Sequence, residues 1–165
     1  MLTLIRNHKR IILVGKAASG KDHLRKRFES RGFKYVVTYT TRPPREGEIE
    51  GKDYLFITDE EATKMVESNM FYEHVYFNGW LYGTSVEQFY NNDLFIMTPA
   101  GISYIKPEDR TSSFIIYTDI DMSVREFRLS KRDMPGDTLT RRIEADELDF
   151  TNFNDYDLRI TNEDF

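Results

Sequence analysis

Residues 11–22 read Ile11-Ile12-Leu13-Val14-Gly15-Lys16-Ala17-Ala18-Ser19-Gly20-Lys21-Asp22, and they carry the most informative pattern in the chain. Four consecutive apolar residues stopped by glycine predict a strand buried on both faces, the form strands take in parallel α/β sheets. Leu24 and Phe28, four apart among charged neighbours, predict a helix over 21–31 that Gly32 stops. Between strand and helix, residues 15–21 fit G-x-x-x-x-G-K. There, backbone N–H groups and a helix N-terminus converge and a lysine adds a mobile positive charge, which is a phosphate-binding arrangement. Gly15, Ala17, Ala18, Ser19, Gly20 and Lys21 are the candidate phosphate ligands. Where this motif places a Ser or Thr hydroxyl for Mg2+, the chain has Asp22. That carboxylate either complements the helix macrodipole or holds Mg2+. Beside a bound phosphate it calls for a metal, because like charges about 4 Å apart cost on the order of 4 kcal/mol at an effective dielectric of 20.

Further strands are predicted at 33–39, 54–57, 94–97, 114–117 and, more weakly, 158–160. Thr58-x-x-Glu61 and Ser85-x-x-Gln88 are capping boxes that open helices. Residues 70–77 and 80–82 flank Asn78-Gly79, the strongest short signal for a hairpin. The pattern is α/β with a β-rich insertion and no internal repeat.

Composition bounds the rest. The chain has 165 residues, 39% hydrophobic and 14% aromatic, enough for one domain with a real core. With no Cys it has no disulfide, thiolate metal site or thiol nucleophile, and the three scattered His (His8, His23, His74) lack zinc-ligand spacing. No apolar run approaches membrane length and no signal-peptide pattern opens the chain, so a cytoplasmic protein without a membrane partner is expected. Net charge is −5, yet residues 144–165 hold eight acids and one base, which leaves the first 143 residues net positive by two. A surface for a nucleic acid polymer is not expected, whereas cations gathered around a small anionic ligand are.

Residues 40–53 form a polar loop of 14 residues with two Pro and two Gly, a length that is often functional. Pro43-Pro44 stiffens it and fixes Arg42 and Arg45 relative to each other, and paired guanidinium forks match phosphate oxygens. Thr40-Thr41-Arg42-Pro43-Pro44-Arg45-Glu46-Gly47-Glu48, followed by Gly51-Lys52-Asp53-Tyr54-Leu55-Phe56, strongly resembles the signature of guanylate kinases. Phe71-Tyr72-Glu73 with Tyr82-Gly83-Thr84, and Asn154-Asp155-Tyr156-Asp157 to Asn162-Glu163-Asp164-Phe165, extend the resemblance over nearly the whole chain. Taken singly, Tyr54, Tyr72 and Tyr82 fit ordinary cross-strand packing.

The resemblance implies a P-loop parallel-sheet core with helices on both faces (1–37 and 86–165), a β-rich monophosphate-binding insertion (38–85) and a small helical lid at about 128–142. It implies ATP-dependent phosphorylation of GMP, and of dGMP, with Mg2+, by a monomer or homodimer. Arg42, Arg45, Tyr54 and Tyr82 would bind the GMP phosphate, with Glu48 buttressing the arginines. Thr38 would meet guanine O6, Glu73 would accept from N1 and N2, and Thr84 would complete the pocket. The basic stretch 125–142 reads by itself as a solvated helix pair; by resemblance, Arg132 and Arg142 fold over the transferring group and work with Lys21 and Arg42. The family's Asp-x-Asp pair is absent from Ile96-Met97-Thr98, so Thr98 stands at the base site and Asp22 is the expected metal ligand. Because both changes touch the metal side, a catalytically impaired nucleotide- or protein-binding module, or a kinase of altered base specificity, stays open.

Overall fold

Every residue of β1 (Arg10–Gly15) is buried, as its unbroken apolar run requires. The computed structural model describes residues 8–77, 79–131 and 138–165. β1 pairs in parallel with β6 (Leu94–Ile96) on one side and β7 (Ser113–Thr118) on the other, and β7 pairs in parallel with β8 (Leu158–Ile160), giving the order β6-β1-β7-β8. Alternation along β1 divides the core. Ile11 and Leu13 meet Leu24 and Phe28 of α1 (Lys21–Glu29), whereas Ile12 and Val14 meet Phe89 of α3 (Val86–Asn91) and Ile102 of α4 (Pro99–Ile102). Both faces are therefore covered, and each fully buried Phe or Leu contributes roughly 1.5–3 kcal/mol.

A second sheet, order β3-β2-β5-β4, is built from β2 (Tyr39–Thr40), β3 (Leu55–Phe56), β4 (Phe71–Phe77) and β5 (Trp80–Ser85). The expected strand at 33–39 is split between the sheets: Tyr35 bridges Leu94 in the core sheet, and Tyr39 pairs with Gly83 and Leu55 in the second. The cause is visible at the crossing, where Gln88 Nε2 donates to the Val37 carbonyl at 2.7 Å and satisfies the backbone between ladders. The hairpin forms with Phe77 opposite Trp80 and Gly79 at φ +80°. Both capping boxes are made, opening α2 (Asp59–Glu67) and α3.

Two one-turn helices were not anticipated, α4 and α5 (Pro107–Arg110); each begins with proline at its first position, where the missing N–H costs nothing. The basic stretch overlaps the end of α6 (Met122–Ser130) and the start of α7 (Leu139–Asp149). Among the described residues no helix is long and apolar enough to cross a membrane.

Candidate active site

The strand-to-helix turn has the geometry of its motif. Gly15 is demanded by close approach: a Cβ there would sit 2.2 Å from Thr118 Oγ1 and 2.7 Å from Ser19 Oγ. Ala18 (φ +58°) and Gly20 (φ +93°) take left-handed backbone, and such alternation turns successive N–H groups to one side. Buried Ser19 lies 2.7 Å from Thr118 Oγ1 and ties the loop to β7. Lys21 Nζ folds over the loop, donating to the carbonyls of Gly15 (2.5 Å) and Lys16 (2.8 Å).

An acid occupies one of the loop amides. Ala17 N–H donates to Asp146 Oδ2 of α7 at 2.7 Å. Next to it Glu147 accepts from Lys16 Nζ at 2.6 Å and from Arg125 at 3.0 Å, and the fully buried Arg125 guanidinium also reaches Asp146 at 3.4 Å. Burial raises the Asp146 carboxyl above its ordinary range, opposed by the Ala17 N–H and the Lys21 charge. Glu147 is lowered, first by the hydrogen bond from Lys16. Asp146, Glu147 and Arg125 were missed as site residues by sequence reasoning, which counted the two acids only as charges of an acidic tail and Arg125 only as part of a basic stretch. Nothing in their spacing pairs them with the loop.

The long loop brings Arg42, Arg45 and Glu48 together. Arg42 is buried, with Nη2 2.7 and 2.9 Å from the two oxygens of Glu48 and Nη1 donating to the Pro43 carbonyl at 2.8 Å. The Arg45 backbone N–H donates to Glu48 Oε2 at 2.7 Å, so one carboxylate organises both arginines. Burial works against the Arg42 charge but the Glu48 hydrogen bond outweighs it, holding the guanidinium above its usual value. Glu48 is correspondingly lowered: its burial is overcome by Arg42 and by the Arg45 N–H. The Tyr54 ring lies under the Arg42 guanidinium at 5.3 Å and packs edge-on against Tyr82.

A cavity of about 380 Å3 opens between the two sheets. Gly15, Ala17, Lys21 and Asp22 of the phosphate loop line it, as do Arg42, Arg45, Tyr54 and Tyr82. Thr38, Glu73 and Thr98 also line it, and Arg142 lines it from α7. Thr84 stands behind Glu73, donating its hydroxyl to Glu73 Oε1 at 2.7 Å. Burial pushes the Glu73 carboxyl up to about 7 in spite of Thr84. Thr98 caps α4, its Oγ1 accepting from Gly101 N–H at 3.1 Å. Ala18, Ser19 and Gly20 instead line a second cavity of about 600 Å3 with Arg128, Glu163 and Phe165. Ala17, Lys21 and Asp22 border both cavities. Arg132 lies outside the described residues.

For Mg2+, no group of three His, Asp or Glu side chains is placed to hold a metal among the described residues. Asp22 is a mostly exposed carboxylate at the rim of both cavities, with Arg25 Nε 3.5 Å away. One carboxylate completed by water and phosphate oxygens is a donor set that Mg2+ accepts, so the residues present fit it.

The sequence family described as guanylate kinase matches residues 7–165. A guanylate kinase of Sus scrofa is 31% identical over 93% of this chain and 84% of its own length, and one of Homo sapiens is 34% identical over 84% and 76%. A crystal structure of guanylate kinase from Anaplasma phagocytophilum superimposes with a TM-score of 0.73 over 95% of this chain and 78% of that one, at 21% identity, which shows the shared α/β P-loop fold. The chain belongs to the guanylate kinase family.

Proposed function

We propose that this protein transfers the γ-phosphoryl group of ATP to GMP, and to dGMP, giving ADP and the nucleoside diphosphate. The observation that carries this reading is the meeting of two cavities along Ala17, Lys21 and Asp22. A donor held on the phosphate loop in one cavity and an acceptor phosphate held by Arg42, Arg45, Tyr54 and Tyr82 in the other come together across Lys21. An oxygen of the GMP phosphate bonds to the γ-phosphorus as its bond to the ADP oxygen breaks. That oxygen is already a nucleophile, so no general base is needed and the protein contributes positioning and charge.

Lys21 follows the charge on the migrating group, which requires it to leave the carbonyls of Gly15 and Lys16. Arg42 fixes the acceptor, and Arg142, which lines the cavity, neutralises charge on the transferring phosphates together with Arg132. Asp22 would hold Mg2+, whose chemistry is neutralisation of phosphoryl oxygens. At the base end, ionised Glu73 accepts from guanine N1 and N2, a donor pair adenine does not present, while Thr38 and Thr98 offer hydroxyls. We assign the protein to the cytoplasm, in keeping with its Cys-free sequence.

A coupled assay of ADP release, with ATP and Mg2+ against GMP, dGMP, AMP, CMP and UMP, tests the proposal. Turnover confined to GMP and dGMP and abolished by Lys21→Ala is expected. Absence of turnover with every monophosphate while GMP still binds would make the chain a nucleotide-binding module.

A further inference from the structure

The ladder between β4 and β5 is irregular beside the base site. Pairing runs from Phe77↔Trp80 to Glu73↔Thr84, and the next pair is Phe71↔Ser85, so one extra residue, Tyr72, is inserted into β4. Regular alternation sends Tyr72 and Glu73 to opposite faces of the sheet. With the bulge both are buried, at 8% and 6% exposure. Bulges re-aim side chains next to functional sites, and something must hold the extra residue in place.

Tyr72 is held firmly. Its ring stacks on Phe89 with centroids 3.6 Å apart, its hydroxyl donates to Asp109 Oδ2 at 2.8 Å, and the Tyr72 hydroxyl oxygen accepts from Lys106 N–H at 3.1 Å. Asp109 is itself buried, where Tyr90 OH donates to it at 3.0 Å and Arg10 lies 3.4 Å away. Arg10 stands at the start of β1, so the chain Arg10–Asp109–Tyr72 ties the bulge of the second sheet to the core sheet. Glu73 is tied on one side, where the Thr84 hydroxyl takes Oε1, and its Oε2 lies over Gly101, close enough that a Cβ there would stand 3.2 Å from it. A shift of the bulge by one position carries the carboxylate out of the cavity.

We infer that Tyr72, anchored by Asp109, is a positioning residue that sets the aim of Glu73 and thereby the selection of the 2-amino purine. This rests on the assignment of Glu73 to the base. The bond Tyr72–Asp109 touches no substrate and lies away from the phosphate loop, so its loss is expected to alter base recognition alone.

Steady-state kinetics on Tyr72→Phe, which keeps the stacked ring and removes only the hydroxyl, tests this with GMP, inosine monophosphate (which lacks the 2-amino group) and ATP. KM for GMP is expected to rise about five-fold, the worth of one buried hydrogen bond, with kcat and KM for ATP within about two-fold. Inosine monophosphate is expected to lose less, so that GMP preference narrows. Asp109→Asn weakens the same bond from its other end and is expected to give the same selective pattern. An unchanged KM for GMP, or equal losses for both monophosphates, would overturn the inference and leave Tyr72 a packing residue. Glu73→Gln runs alongside: if it leaves GMP preference intact, the base assignment of Glu73 fails, a result distinct from failure at Tyr72.

Discussion

Glu73 concentrates the conflict between stability and recognition in one side chain. Burial raises its carboxyl to about 7 in the folded protein, against 4.5 for the unperturbed group. The native state therefore binds a proton that the unfolded chain releases, and the stability this group contributes is present below about pH 4.5 and is lost as pH rises toward 7. With Glu73 at the base as proposed, recognition runs the other way, because only the ionised form accepts two guanine donors, which in turn pull the ionisation downward when the base is bound. Two outcomes are expected together for Glu73→Gln: a higher thermal midpoint than wild type at pH 8 with little difference at pH 5, and a loss of GMP use of about ten-fold or more. Equal midpoints at pH 8 would show that the carboxylate carries no burial penalty. For the unsubstituted protein, KM for GMP is expected to fall between pH 6 and pH 8. Much at this scale was readable in the letters: Lys21, Arg42 and Glu73, each singled out from the sequence, line one cavity, and Glu48 is bonded to Arg42. What could not be read was that Glu73 lies over Gly101 and that burial raises its carboxyl, since both follow from packing between segments far apart in sequence.

Among the elements, α7 is attached in an unusual way. None of its residues is buried, and the polar bonds of Asp146 and Glu147 to Ala17, Lys16 and Arg125 tie it to the phosphate loop. Asp146 occupies an amide that the loop motif offers to phosphate, so a donor nucleotide must displace a carboxylate of the same sign. Asp146→Asn keeps an acceptor oxygen but removes the charge, and KM for ATP is expected to fall several-fold, most clearly at low ionic strength. A rise in KM would mean instead that Asp146 supports the donor. Elements whose signals are local were legible: the capping boxes of Thr58 and Ser85, the Asn78-Gly79 hairpin and the stop at Gly32 need only neighbouring residues. The split of 33–39 and the short helices opened by Pro99 and Pro107 were not, because their endpoints are set by which sheet accepts the backbone and by where the chain must turn. The contact of α7 with the loop joins residues 129 positions apart and leaves no local trace.

Taken whole, the molecule places its chemistry where a parallel sheet creates a crevice. β1 lies between β6 and β7, the phosphate loop leaves the carboxyl end of β1, and Thr98 follows the carboxyl end of β6. Strand order changes direction there, which is where α/β sheets bind ligands. The second sheet then brings Arg42, Tyr82 and Glu73 across the opening, and its two connections to the core, at Val36–Val37 and at Ser85, are fixed by Gln88. The arrangement accounts for transfer between two bound nucleotides better than for hydrolysis, because the cavity proposed for the acceptor is lined by Arg42, Arg45 and Arg142 together with the Glu73 carboxyl. The most direct measurement follows a radiolabelled γ-phosphate. The protein is incubated with labelled ATP, Mg2+ and GMP, and the products are separated. Label is expected in GDP, one equivalent for each ADP formed and none with Lys21→Ala. Label appearing only in inorganic phosphate, or remaining in ATP while GMP is bound, would contradict phosphoryl transfer across the shared wall of the two cavities.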